Sequence, residues 1–161
     1  YTTSSSSSNV STDLPVIDVA PDMQQSQLKA AVQKLRKKFD EVKSITWYYH
    51  QNSPKYSNSH SWISVYFGSS GNTPDNPRLL INYVSSDWLF IERYLLNIDG
   101  ASYNISPSYG EIERDNGTLS NGEVGIWEWY DSKITRYEME TILAIIQSKT
   151  AMLRFEGIQY Y

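Results

Sequence analysis

Ser61-Trp62-Ile63-Ser64-Val65-Tyr66-Phe67 is the stretch whose reading decides the fold. Its bulky, β-branched and aromatic residues suit a pleated ribbon, and Gly68-Ser69-Ser70-Gly71 ends it with turn-forming residues. Upstream, Ile45-Thr46-Trp47-Tyr48-Tyr49 has the same character. Downstream, strands are expected over Arg78–Val84, Trp88–Asn97, Ser102–Ser106, Glu111–Arg114 and Val124–Tyr130, with a last one over Ala151–Phe155. Ile98-Asp99-Gly100 reads as a hairpin turn, and Asp115-Asn116-Gly117 as another. Links this short cannot carry parallel crossovers, so the strands should pair as an antiparallel meander.

Two helices frame this strand-rich region. Asp22-x-x-Gln25 fits a capping box, and Leu28, Ala31, Val32, Leu35, Phe39 and Val42 then recur every three to four residues. That spacing predicts an amphipathic helix over about 23–42, packed on the domain by its apolar stripe. Thr135-x-x-Glu138 opens the second helix, with Met139, Ile142, Leu143 and Ile146 on one face and Ile145 widening it. The expected class is α+β and mainly antiparallel β, with about 7–8 strands. An amphipathic helix leads in, and a buried helix precedes the last strand. Two packed sheets are the favoured architecture and one strongly curved sheet is the alternative. Residues 1–20, rich in Ser and Thr, read as a disordered tether, and 21–161 as a single globular domain.

Composition excludes several functions. The chain of 161 residues has no Cys, which removes disulfide scaffolds, Cys-ligated zinc, iron–sulfur clusters and thiol catalysis. Residues 29–43 hold six cations against Asp40 and Glu41, a local charge of +4 in a chain of net −4, which leaves about −8 elsewhere. An acidic body lacks the continuous basic footprint that nucleic acid requires, so no nucleic-acid partner is expected. The basic cluster is expected to be the solvated face of the first helix. No apolar run approaches the ~20 residues needed to span a bilayer.

Several segments together resemble the extracellular domain of poorly characterised Gram-positive lipoproteins. They are Ile45-Thr46-Trp47-Tyr48, Asp87-Trp88-Leu89-Phe90-Ile91, Pro107-Ser108-Tyr109-Gly110-Glu111-Ile112-Glu113-Arg114-Asp115-Asn116-Gly117, Ile126-Trp127-Glu128-Trp129-Tyr130-Asp131 and Arg154-Phe155-Glu156-Gly157. The resemblance covers about residues 41–161. It implies an extracellular location, with a lipidated Cys and a Ser-rich spacer anchoring the domain at the cell surface. The chain itself contains no such Cys, so membrane contact is expected only through a tether outside it. The resemblance implies no particular chemistry.

The candidate site residues are Trp127, Glu128, Trp129, Tyr130, Asp131, Glu111 and Glu113. On a strand Trp127, Trp129 and Asp131 point one way, and Glu128 and Tyr130 the other. Indoles beside a carboxylate suit stacking on a sugar ring and bonding its hydroxyls. The same pattern suits a strand whose Trp side packs in the core while Glu128 faces water, and that is the expectation. Glu111 and Glu113 share a strand face, as glycoside hydrolysis needs of paired carboxylates, but so does any solvent-facing acidic edge. His50 and His60 flank a polar loop without metal-ligand spacing, and no Gly-x-Ser-x-Gly elbow is present. No metal and no cofactor are expected. Thirteen Tyr and five Trp predict an exposed aromatic patch. The leading expectation is a non-catalytic, surface-displayed interaction domain that binds a protein or an envelope glycan through such a patch. An envelope glycan hydrolase using paired carboxylates and a structural spacer in a longer surface protein are the alternatives.

Overall fold

The computed structural model describes residues 21–71 and 75–159. The tether expected over 1–20 and the side chains of the Asp22-x-x-Gln25 box lie outside the described residues. The chain divides into two compact units at Gln33 and Lys34. The first contributes one helix, α1 (Pro21–Gln33). The second holds all strands: β1 (Leu35–Asp40), β2 (Ile45–His50), β3 (Trp62–Ser69), β4 (Asp75–Ser85), β5 (Ile91–Ile98), β6 (Ala101–Ile105), β7 (Ile112–Thr118), β8 (Val124–Lys133) and β9 (Ala151–Gly157), with α2 (Arg136–Gln147) before the last. None of the helices among the described residues is long and apolar enough to cross a membrane.

The strands form two antiparallel sheets, one of six in the order β1-β2-β3-β4-β8-β7 and one of three in the order β6-β5-β9. After β4 the chain leaves the large sheet, builds β5 and β6, and returns through β7 so that β8 pairs with β4. The core lies between the sheets. Leu79 and Ile81 of β4 and Tyr130 of β8 meet Ile91, Tyr94, Leu96 and Ile98 of β5, Ile105 of β6 and Ile142 of α2. This is the α+β, sandwich-like arrangement of the expected class.

Three local expectations are corrected. The first helix stops at Gln33, and Leu35–Asp40 is a strand paired along its whole length with β2. Leu35 and Phe39 fit a helical stripe, but they also alternate with Arg36, Lys38 and Asp40. Pairing with the aromatic β2 overrides the local helical signal. The return is fixed by Asp40, whose Oδ1 accepts from the N–H groups of Val42 and Lys43, and by Ser44 in the left-handed region (φ 53°). Second, Asp115-Asn116-Gly117 is not a turn but part of β7. The ladder with β8 continues to Thr118 opposite Val124, and the chain reverses over Leu119–Glu123. Third, residues 88–90 lie outside β5, and Ile146 of α2 is exposed rather than packed.

Other local readings hold. Asp99-Gly100, both at positive φ, joins β5 to β6 in a two-residue turn. Thr135 Oγ1 accepts the Glu138 N–H while the Glu138 carboxylate accepts the Thr135 N–H, a complete capping box. Glu138 also accepts the Tyr130 hydroxyl at 2.9 Å, which ties α2 to β8.

Candidate functional site

Alternation gives the large sheet two unlike faces. One packs on the core. The other carries Arg36 and Lys38 from β1, Trp47 and Tyr49 from β2, Trp62, Ser64 and Tyr66 from β3, Arg78, Leu80 and Asn82 from β4, and Trp127, Trp129 and Asp131 from β8, as the ladder registers place them. Four of the five Trp residues therefore share the face turned away from the core.

On this face lies a cavity of about 590 Å³, with Tyr49, Trp62, Tyr66, Trp129 and Asp131 among its walls and Arg36, Lys38 and Lys55 beside them. A second cavity of about 860 Å³ shares Lys38, Tyr49, Tyr66 and Asp131 with the first and extends to Trp47, Asn76 and Lys133. The aromatic wall is ordered. Tyr49 and Tyr66 stack at 4.9 Å between ring centroids, and Trp47 meets Tyr66 at 5.4 Å. Gly68 makes room for it, because a Cβ there would stand 3.0 Å from the Trp47 ring and 2.9 Å from Ile45 Cγ2.

Asp131 is the one carboxylate among the first cavity's walls, Asp40 and Glu41 joining it in the second, and its charge is balanced. Arg78 Nε donates to its Oδ1 at 2.7 Å, and the Tyr66 hydroxyl donates to Oδ2 at 2.6 Å. Burial raises the Tyr66 phenol well above its usual range, and the hydrogen bond to Asp131 adds to that rise. Tyr49 is raised as well, by burial first and by the Asp131 charge second. Arg36 sits over the Tyr49 ring at 5.5 Å and donates to the Ser53 carbonyl. No carboxylate forms an ion pair with Arg36, Lys38 or Lys55 among the described residues.

Two of the residues lining the cavity carry unpartnered polar atoms. Trp62 Nε1 and Asn82 Oδ1 are both covered and neither has a hydrogen-bond partner, although the two residues are directly opposite across β3 and β4. The Asn82 amide nitrogen holds the Ser57 and His60 carbonyls of the loop between β2 and β3. Each unpartnered group costs roughly 1–3 kcal/mol.

The sequence candidates separate on this scaffold. Trp129 and Asp131 line the cavity, and Trp127 lies on the same face beyond it. Glu128 and Tyr130 point into the core, reversing the expected orientation. Glu128 is fully buried; its Oε1 accepts the Leu89 and Phe90 N–H groups, and its Oε2 accepts the Ile91 N–H and Arg114 Nε at 2.9 Å. The carboxylate thus fastens the 86–90 loop, in which Phe90 adopts a left-handed conformation (φ 52°) rare for a bulky residue. Glu113 is exposed opposite Trp129, and Glu111 is exposed before β7, where it accepts the Ser108 N–H. His50 accepts the Asn52 N–H, and among the described residues no cluster of His, Asp and Glu could hold a metal ion. Trp62 and Lys55 are not among the sequence candidates, having no local signal that sets them apart, and reading residues 35–40 as helix hides the strand that brings Arg36 and Lys38 to the site.

No protein-family model, curated protein or solved structure matches the chain.

Proposed function

We propose that this domain is a non-catalytic binding module that holds a saccharide chain on the outer face of its large sheet. The observation that carries this reading is the gathering of Tyr49, Trp62, Tyr66 and Trp129 around one cavity. Flat rings beside polar groups suit sugar rings, which offer an apolar C–H face and a rim of hydroxyls. Trp62 Nε1 is left as a donor and Asn82 Oδ1 as an acceptor, and a hydroxyl, which both donates and accepts, is the kind of group that complements such a pair. The carboxylates argue for holding rather than cleaving. Asp131 is engaged by Arg78 and Tyr66, and Glu128 is sealed on the opposite face of the same strand. Display outside the cell, on a tether in a lipid-anchored parent protein, fits a module of this kind and belongs to the same proposal.

Affinity electrophoresis and calorimetry over a panel of purified polysaccharides test it. Trp129→Ala and Tyr49→Ala should each weaken binding about tenfold or more, equivalent to ~1.4 kcal/mol, while the circular dichroism of the fold is retained. Wild-type protein that retains no saccharide, or variants that bind as well as wild type, would refute the reading.

A further inference from the structure

The balance of charge around the aromatic wall says more about the ligand than the rings do. With Asp131 neutralised by Arg78, the sign of the first cavity is set by Arg36, Lys38 and Lys55, none of which has a carboxylate partner among the described residues, and in the second Asp40 and Glu41 stand against Lys38, Lys43 and Lys133. Across the same face, the β7 edge carries Glu113 and Asp115 opposite Trp129 and Trp127. The face is therefore positive toward β1 and negative toward β7, in a protein whose net charge is −4. A polyanion lying on it is drawn to the β1 side and repelled from the β7 side.

The two cavities share Lys38, Tyr49, Tyr66 and Asp131, so they form one trough that follows the strand direction. Along β4 it runs from Asn82 to Asn76, about 20 Å at the usual strand rise. That is room for several linked units rather than one small molecule. The trough lies on the face of a sheet and not on an edge, so its floor offers side chains rather than a row of unpaired backbone groups. Such a floor suits a polymer recognised by rings and hydroxyls better than an extended peptide, whose affinity comes from strand addition.

We propose that the ligand is an anionic polysaccharide, a linear glycan bearing carboxylate, phosphate or sulfate groups, laid along the trough with those groups toward Arg36, Lys38 and Lys55. This rests on the saccharide-binding reading above and adds the charge class. Aromatic stacking positions the sugar rings, and the three cations select against neutral chains.

The test compares retention on polygalacturonate, a neutral glucan and polyglutamate, with salt raised from about 50 to about 200 mM. Wild-type protein should prefer polygalacturonate to the glucan by about tenfold and lose most of that preference at the higher salt. The doubly substituted Lys38→Glu, Lys55→Glu protein should lose the preference. Lys149→Glu, which changes net charge away from the trough, should keep it. Equal, salt-insensitive retention on polygalacturonate and glucan would overturn the anionic assignment and leave saccharide binding standing. Retention on neither polysaccharide would overturn both. Retention on polyglutamate as strong as on polygalacturonate would show that charge alone is read and would overturn the glycan class.

Discussion

Replacing Glu128 with Ala should be among the most damaging single changes in this protein. The side chain is fully buried and accepts four hydrogen bonds, from the N–H groups of Leu89, Phe90 and Ile91 and from Arg114 Nε. Leu89 and Ile91 are themselves buried, so their N–H groups do not find water without local opening. Each unpaired donor costs roughly 1–3 kcal/mol, and the loss of the Arg114 pair adds less than a fully buried pair would, because the guanidinium left behind is about a third exposed and reaches water. These overlap, and partial hydration of the space left by the side chain offsets some of the loss. A net destabilisation of about 3–5 kcal/mol follows, or roughly 10–20 °C in melting temperature for a domain of this size. Glu128→Gln keeps the volume but offers one acceptor instead of two. Whichever end carries the amide nitrogen faces two donors, so it should still cost about 2 kcal/mol or more. Urea unfolding followed by tryptophan fluorescence measures both changes, with an unchanged m-value showing that the unfolded ensemble is the same. Because Glu128 holds the scaffold and touches no ligand, folded Glu128→Gln protein should bind saccharide as wild type does. An Ala variant within about 1 kcal/mol of wild type would refute the assignment of Glu128 as the fastening of this loop.

The loop has a second constraint, at Gly157. A Cβ there would strike the Leu89 carbonyl and come within 2.6 Å of the Phe90 carbonyl, both backbone atoms, so Gly157→Ala should destabilise by about 2 kcal/mol or more in thermal melts. Thr135→Ala removes one half of the α2 capping box and should cost about 1 kcal/mol in the same measurement. At high pH the tyrosines limit stability. Burial, with the Glu138 hydrogen bond adding to it, pushes the Tyr130 phenol up to about 12, and burial raises Tyr49, Tyr66 and Tyr94 as well. The native state holds these groups neutral while the unfolded chain ionises near 10. Their contribution is complete below that value and is lost as pH rises from 10 toward 12 and beyond. Ultraviolet titration should therefore show one class of tyrosine ionising freely and another only on unfolding.

Much of the strand pattern was legible because rings and β-branched side chains recur from Ile45 onward, and turn chemistry at Asp99-Gly100 and the Thr135 box is local. What failed was non-local. Residues 35–40 satisfy a helical period and a strand period together, and only pairing with β2 decides between them. Asp115-Asn116-Gly117 has turn composition, but the β8 ladder extends past it. Alternation correctly separated Trp127, Trp129 and Asp131 from Glu128 and Tyr130, yet could not tell which side met the core. The bias that indoles are buried and carboxylates are not gave the wrong orientation. A carboxylate that collects three backbone N–H groups from a loop about forty residues away in sequence leaves no local trace. Segments far apart in sequence meet around that carboxylate and its loop, in Leu89-Phe90-Ile91, Arg114, Glu128 and Gly157. They mark the scaffold, whereas the trough draws on β1 and the 51–61 loop as well.

Nitrogen–proton correlation spectra of the five indole groups, recorded while polygalacturonate is added to the intact chain, address the trough most directly. Occupation of the trough should shift the Trp62, Trp129 and Trp47 signals, which line its two cavities, and leave Trp88 and Trp127, which line neither, in place. Saturating polymer that moves only Trp88 or Trp127, or moves no indole signal, would contradict binding on this face.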